Sequence, residues 1–228
     1  AAETKQSIET AARAARYSFF AAVARRRRCR TILLGHHADD VVETFLINLF
    51  RGAGGAGRQG IRPISVRVVD KVELIIVRPL LGVWRADIDE YVRAHRLRFR
   101  EDASNQQLDA LRNRMRHRII PELEKEFGRE IRKTVHRMAI IAAEEDAFLT
   151  EALPQPSPRL LVNELRAMPV ALQRRAITRW LREQQVSDVG FVLVEQIRAM
   201  LDTEAGPAKI NLPRNRHARR RAGELFIE

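Results

Sequence analysis

The apolar run TILL at 31–34 leads straight into GHHADDVVET at 35–44, and the apolar positions that follow, Val42, Phe45, Leu46 and Leu49, recur at helical spacing. A short buried strand, a glycine turn and an amphipathic helix beginning near Asp39 make a βα unit. A second buried-strand candidate, VELIIVRPL (72–80), is ended by Pro79. A helix from about Trp84 to His95 follows it, expected to bury Ile88, Tyr91, Val92 and His95. Strand and helix in alternation predict an α/β fold with a parallel sheet and right-handed crossovers. Two strands are too few for such a sheet, so either it is small and needs a partner or further strands belong upstream of Ala1. Ahead of TILL, Ser7 is expected to cap a helix through about Ala24, with Glu9 in its first turn. Its buried face is read as Ile8, Ala12, Ala15, Phe19 and Val23.

The character changes after Pro121. Leu123, Phe127, Ile131, Val135, Met138 and Ala142 predict one long connecting helix over 123–152. LPQPSP (153–158) reads as a linker. Helices are expected over roughly 169–184 and 188–202, the second capped by Ser187 and buried along Val189, Leu193, Ile197 and Leu201. The tail KINLPRNRHARRRAGELFIE reads as a closing β-hairpin. The organisation expected is an α/β domain over 1–122, the connecting helix over 123–152, and a small mainly helical domain over 153–228.

Composition narrows the partners. No uninterrupted apolar stretch is long enough for a membrane span, and the first thirty residues lack the pattern of a signal peptide. The single cysteine, Cys29, excludes an internal disulfide and any Cys-x-x-Cys redox, zinc or iron–sulfur site, and fits a reducing compartment. A formal charge of +12, carried mostly by arginine, suits a polyanionic partner such as nucleic acid.

The block at 35–44 lies where open α/β sheets bind ligands, beyond the carboxyl end of a strand. A helix amino terminus there favours an anion, yet Asp39, Asp40 and Glu43 would repel a bare phosphate. The conflict is resolved when the carboxylates face a cation, either Mg²⁺ on a nucleotide or an amine. Helical spacing brings Asp39 and Glu43, or Asp40 and Glu43, onto one face. Two plainer readings stand beside this one. The acids could simply cap the helix and complement its dipole, or His36, His37 and the aspartates could ligate zinc or manganese.

GHHADDVVETFLINLFRGAG, with RPLLGVWRADIDEY and REDASNQQLDALRNRMRHRIIPEL after it, resembles the tRNA(Ile)-lysidine synthetases, cytosolic enzymes of the N-type ATP-pyrophosphatase (PP-loop) group. ALQRRAITRWLREQQ through INLPRNRHARRRAGELFI looks like the small domain that follows the catalytic one in that family. The resemblance implies an adenine-nucleotide alpha-hydrolase-like domain, with its carboxyl-terminal half present here, followed by a small mainly helical domain that binds substrate and tRNA. It implies a ligase that uses ATP and Mg²⁺ to adenylate C2 of the wobble cytidine of tRNA(Ile), after which free lysine displaces AMP. Asp40 and Glu43 would then hold lysine. His36, His37 and Asp39 would be the catalytic, nucleotide-side groups, with Asp39 also meeting magnesium and a histidine keeping the attacking amine neutral. Gly35, Arg51 and Gly52 would approach the nucleotide. The resemblance leaves a homodimer open and implies no membrane partner.

In RNRMRHRIIP (112–121), Arg112 and Arg116 are four apart, as are Arg114 and Arg118, and arginine forks suit phosphate. An exposed arginine-studded helix is the plainer alternative. Arg112, Asn113, Arg114 and Arg116 are taken as tRNA-binding candidates, with Asp102, Ser104 and Asn105 resembling nearby family positions. The group's Ser-Gly-Gly-x-Asp-Ser loop does not occur in these residues and is expected upstream of Ala1; the chain as written is not expected to bind ATP in the family's manner. A non-catalytic RNA-binding remnant is therefore a second reading. Cytidine thiolation enzymes share a similar block but rely on paired cysteines, which one cysteine disfavours.

Overall fold

The computed structural model describes residues 8–52, 60–100 and 111–228, apart from the side chains of residues 8–10. Ser7, the side chains of Ile8 and Glu9, the glycine-rich stretch 53–59, and Asp102, Ser104 and Asn105 lie outside what is described. Two compact units divide the chain, one running through Ile140 and the other from Ile141.

The first unit runs α1 (Ile8–Arg27), β1 (Thr31–Leu33), α2 (Ala38–Phe50), β2 (Ile64–Val69), β3 (Val72–Val77) and α3 (Arg85–Ala94). The two strands read from sequence pair in parallel, Thr31 against Ile75 and Leu33 against Val77. A third strand, β2, was not expected. It adds to β3 antiparallel, giving the order β1-β3-β2. Asp70 and Lys71, with φ of 48° and 62°, form the two-residue turn whose left-handed backbone matches the twist of a hairpin.

Helix α1 buries a different face from the one its apolar residues suggest. Tyr17, Ala21 and Ala24 pack with Leu74 and Ile76 of β3, while Phe19 stays 64% exposed and Ala12 and Ala15 face solvent. Alanines surround this helix almost completely, so apolar periodicity discriminates poorly. The small side chains at 21 and 24 are the ones that let the helix approach the sheet. In α2, Val42, Phe45 and Leu46 are buried as expected, but Leu49 is 44% exposed because the last turn has left the core. In α3, Ile88 and Val92 are half-buried; Tyr91 and His95 are exposed and stack on each other at 4.0 Å.

Helix α4 (Leu111–Arg114) continues through a π turn (Met115–Ile119) into α5 (Ile120–Phe127). Met115 and Ile120 pack with Val42 and Leu46 of α2. The single helix expected over 123–152 is interrupted: Gly128, at φ 59°, ends α5 in the left-handed conformation that glycine adopts without steric cost, and α6 begins at Ile131 and runs to Glu151.

The second unit contains β4 (Leu160–Leu161), α7 (Val162–Ala167), α8 (Val170–Glu183), α9 (Phe191–Ala199), β5 (Lys209–Leu212), β6 (Arg216–Arg221) and β7 (Glu224–Ile227). The closing hairpin is in fact a three-strand meander extended by β4, in the order β4-β7-β6-β5, antiparallel throughout. Trp180, Ile177 and Leu181 of α8 meet Ile197 and Met200 of the α9 region and Leu225 of β7 in one core. Gly190, not Ser187, stands at the N-cap of α9. Among the described residues, no helix is long and apolar enough to cross a membrane.

Candidate functional site

The acidic block does begin a helix. His37 is the N-cap of α2 in extended conformation, and its backbone N–H donates to Asp40 Oδ2 at 2.9 Å, one half of a capping box. The Ala38 N–H donates to Val83 O at 2.9 Å, tying this turn to the loop after β3. Asp39 Oδ2 accepts from the backbone N–H of Arg85, at 2.9 Å, in the first turn of α3. One carboxylate thus meets the positive end of a second helix.

Asp40 and Glu43 turn inward towards the arginine-rich segment. Glu43 is 1% exposed, and Arg116 clasps it with Nε to Oε1 at 2.6 Å and Nη2 to Oε2 at 3.1 Å. The same Nη2 lies 3.3 Å from Asp40 Oδ1. Arg112 adds Nε at 3.3 Å from Glu43 Oε2 and donates to Thr44 Oγ1 at 2.8 Å. The structure therefore brings together Asp40, Glu43, Arg112 and Arg116, which the sequence separated into lysine and tRNA groups. Burial pushes the Glu43 carboxyl above its ordinary range against the opposing pull of Arg116. Burial opposes charge on Arg116, but the hydrogen bonds to Glu43 and the negative charges of Glu43, Asp40 and Asp39 together outweigh it and raise the guanidinium further.

Asp39 points the other way, into a cleft of about 750 Å³ also lined by Trp84, Asp87, Glu124, Arg129 and Arg132. Burial works against its ionisation, yet the nearby His37 ring and the Arg85 N–H hold its carboxyl below the usual range. Arg132 Nε approaches Asp39 Oδ1 at 3.5 Å. Sequence reasoning passed over Arg132, whose neighbours Arg129 and Lys133 make it look like ordinary helix surface. Asn113 is half-buried and Arg114 exposed on α4. Arg51 and Gly52 follow the far end of α2, about 20 Å along its axis from the acidic turn. The structure does not bring them to the cluster. At Gly35 an added Cβ would meet nothing within 4 Å, so the backbone there is open to close approach.

A magnesium ion can be tested against these donors. Among the described residues, no three His, Cys, Asp or Glu side chains converge on a metal position. Asp39 alone, with Arg132 beside it, fits only an ion that brings most of its oxygen ligands from a nucleotide and water.

His36 is half-buried, and its Nδ1 lacks a hydrogen-bond partner among the described residues. Burial lowers its pKa; Asp40 opposes this, while Arg78, Arg112 and Arg13 reinforce it. Because the folded ring resists a proton that the unfolded chain accepts near pH 6.5, its contribution to stability is full above that pH. The contribution declines as pH falls towards the lowered value. An NMR titration should place the His36 midpoint below 6.5; a midpoint at or above 6.5 would show that this field does not act.

A parallel βα unit with its acidic turn at the strand's carboxyl end is the arrangement of a nucleotide-type α/β domain, and residues 1–123 match the family model of the PP-loop domain. Residues 160–226 match the TilS substrate binding domain. A tRNA(Ile)-lysidine synthase of Chlorobaculum tepidum is 35% identical over 89% of this chain and 61% of its own length. Proteins with the same description from Gloeobacter violaceus and a Synechococcus species are 38% identical (79% of this chain, 56% of the relative) and 36% identical (93% and 69%). The chain spans less than two thirds of the length of the first two. It belongs to the tRNA(Ile)-lysidine synthase family.

Proposed function

We propose that this chain supplies the lysine-handling half of an ATP-dependent ligase that converts the wobble cytidine of tRNA(Ile) to lysidine. The observation that carries the reading is the buried Asp40–Glu43–Arg116 cluster, set at the carboxyl end of β1 beside the half-buried His36. Two carboxylates held rigidly there provide a pre-organised seat for an ammonium group. Because Arg116 occupies both, the lysine ammonium must share or displace it, and Arg116 acts as a positioning residue for the pair. His36 and His37 stand next to this seat; a ring kept neutral can take the proton that the attacking amine loses. When bound with a nucleotide, magnesium would offset phosphate charge, and Asp39 is the carboxylate placed to meet it. Arg112, Asn113 and Arg114, on the same helical segment, are proposed to meet tRNA, with Gly35 on the nucleotide side.

The experiment is ATP-dependent transfer of labelled lysine to tRNA(Ile), with Asp40→Asn and Glu43→Gln compared against the unaltered protein. Both variants should raise the lysine KM by at least about tenfold or abolish transfer, since each removes a charged partner of the ammonium. Normal lysine kinetics in both would refute the assignment. Transfer absent even from the unaltered protein, with tRNA binding retained, would favour a purely RNA-binding role.

A further inference from the structure

The roles proposed above make no use of Trp84. The chain has two tryptophans, in contrasting settings. Trp180 is 1% exposed, and its Nε1–H donates to Pro158 O. Trp84, the N-cap of α3, is half-buried and lines the cleft beside Asp39; among the described residues its Nε1–H has no acceptor. Its backbone is pinned. The Trp84 N–H donates to Asp87 Oδ2 at 3.3 Å, and both its chain neighbours are tied to the acidic turn, Val83 O by the Ala38 N–H and the Arg85 N–H by Asp39. The indole packs in part against the cluster of Val42 and Met115, and the His136 ring leans on it at 5.3 Å. His136 is fixed in turn, its Nε2–H donating to Leu81 O at 3.1 Å. What remains is a rigid aromatic surface in the wall of a cleft of about 750 Å³, ample for a nucleoside.

Nearly every charge lining this cleft already has a partner. Lys133 pairs with Glu130 at 2.9 Å, Arg132 with Glu124 and Asp39, and Asp87 accepts the Trp84 N–H. Arg129, exposed just after the Gly128 turn, is the lining cation that pairs with no described acid. Acids outnumber cations around the cleft, so a polyphosphate is disfavoured there. A neutral heteroaromatic ring, with one phosphate left at the rim for Arg129, fits better. An unstacked base of single-stranded RNA has that chemistry, since each base offers a face for stacking. The segment that begins at Arg112 runs through the π turn into α5, whose Glu124 lines the same cleft. The base in the cleft is not the one being modified. The lysine seat lies across the His37 ring from Asp39: Nδ1 is 3.5 Å from Asp39 Oδ2, and Nε2 is 3.5 Å from Asp40 Oδ2. We infer that Trp84 is a stacking platform for an anticodon-loop base next to the wobble cytidine, with Arg129 meeting that nucleotide's phosphate. Holding the neighbour out of the stack presents the cytidine towards the lysine seat. The inference rests on the tRNA reading given above.

The test follows the intrinsic fluorescence of the 228-residue chain during titration with a synthetic anticodon stem-loop of tRNA(Ile). Because Trp180 is enclosed, quenching by a stacked base reports on Trp84. The stem-loop should quench it, and Trp84→Leu should weaken binding by about fivefold or more. Trp84→Phe, which keeps a ring, should fall between, with circular dichroism confirming the fold of both variants. Arg129→Ala should lower the salt slope by about one. A stem-loop made abasic at one neighbour of the wobble cytidine should lose the quench and bind the unaltered chain and Trp84→Leu alike. Abasic sites elsewhere in the loop should leave the Trp84→Leu penalty in place. A stem-loop that binds without quenching, or binds Trp84→Leu as tightly as the unaltered chain, overturns the inference and leaves the tRNA reading standing. A penalty that persists with every abasic loop overturns it too, because Trp84 would then act only through the fold. ATP that quenches Trp84 and displaces the stem-loop overturns it by making the indole part of the nucleotide site. A stem-loop that does not bind at all overturns both readings.

Discussion

Replacing Arg116 with alanine should destabilise the first unit by about 3 kcal/mol near neutral pH, the lower end of what removing one partner of a buried ion pair costs. Arg116 contributes both hydrogen bonds to the 1%-exposed Glu43 and the contact to Asp40, so its loss leaves two acids facing each other with little solvent. The lower end applies because Arg112 remains 3.3 Å from Glu43 and Arg116 is itself partly exposed. The sign of the pH dependence follows from Glu43, whose folded carboxyl already titrates above its ordinary value. Such a group disfavours the folded state as pH rises from the unfolded value near 4.5 through the folded one. The Arg116→Ala deficit should therefore be small below about pH 4.5 and grow above it. Urea unfolding at several pH values measures this as a shift in midpoint at constant slope. A deficit independent of pH would mean that lost packing, not stranded charge, is the cause. Arg116→Met combined with Glu43→Leu should recover most of the loss.

In the second unit, Trp180→Ala should cost about 3–5 kcal/mol, the range for deleting a buried aromatic. For a unit of this size, that corresponds to a fall in melting temperature of more than about 12 °C. Trp180 is 1% exposed in the centre of the core, and its Nε1–H donates to Pro158 O at 3.0 Å. The substitution therefore leaves both a cavity and an unsatisfied carbonyl at the start of the unit's sheet. Trp180→Phe separates the two, because it fills much of the space but still strands Pro158 O; it should cost distinctly less. Phe191→Ala, removing a ring that is 67% exposed, should stay within about 0.5 kcal/mol of the unaltered chain. Similar losses for Trp180→Ala and Phe191→Ala would contradict the placement of the core.

What the sequence made legible follows from the range of its signals. The strand, glycine turn and helix at 31–50 carry strong local markers, and the parallel pairing of β1 with β3 agrees with them. The spacing of Arg112 and Arg116 correctly placed them on one side of their helix. Nothing local could say that this side meets Glu43, 73 residues away from Arg116. The family resemblance, not local spacing, assigned the acids to lysine and the arginines to tRNA; in the fold Asp40 and Glu43 are paired with Arg112 and Arg116. β2 escaped because ISVRVV has apolar residues on one face that stay exposed, Ile64, Val66 and Val68, so the usual link between alternation and burial fails. Its Asp-Lys turn also lacks the glycine that announces most tight hairpins. The break at Gly128 was readable as a C-cap but was masked by apolar spacing that continues across it.

The π turn at Met115–Ile119 gives the arginine helix a vernier. An ordinary helix fixes the angular phase of every residue relative to every other, at about 100° per position. One wide turn accommodates an extra residue and uncouples the two sides. Ahead of it, Arg112 is phased to the acids of α2; beyond it, Ile120 is phased to the apolar patch and Glu124 to Arg132. Deleting a single residue inside 115–119 would restore a regular helix with both flanks still in phase, whereas a further insertion would swing everything after it by about 100°. The segment therefore tolerates loss of the extra residue better than the gain of another.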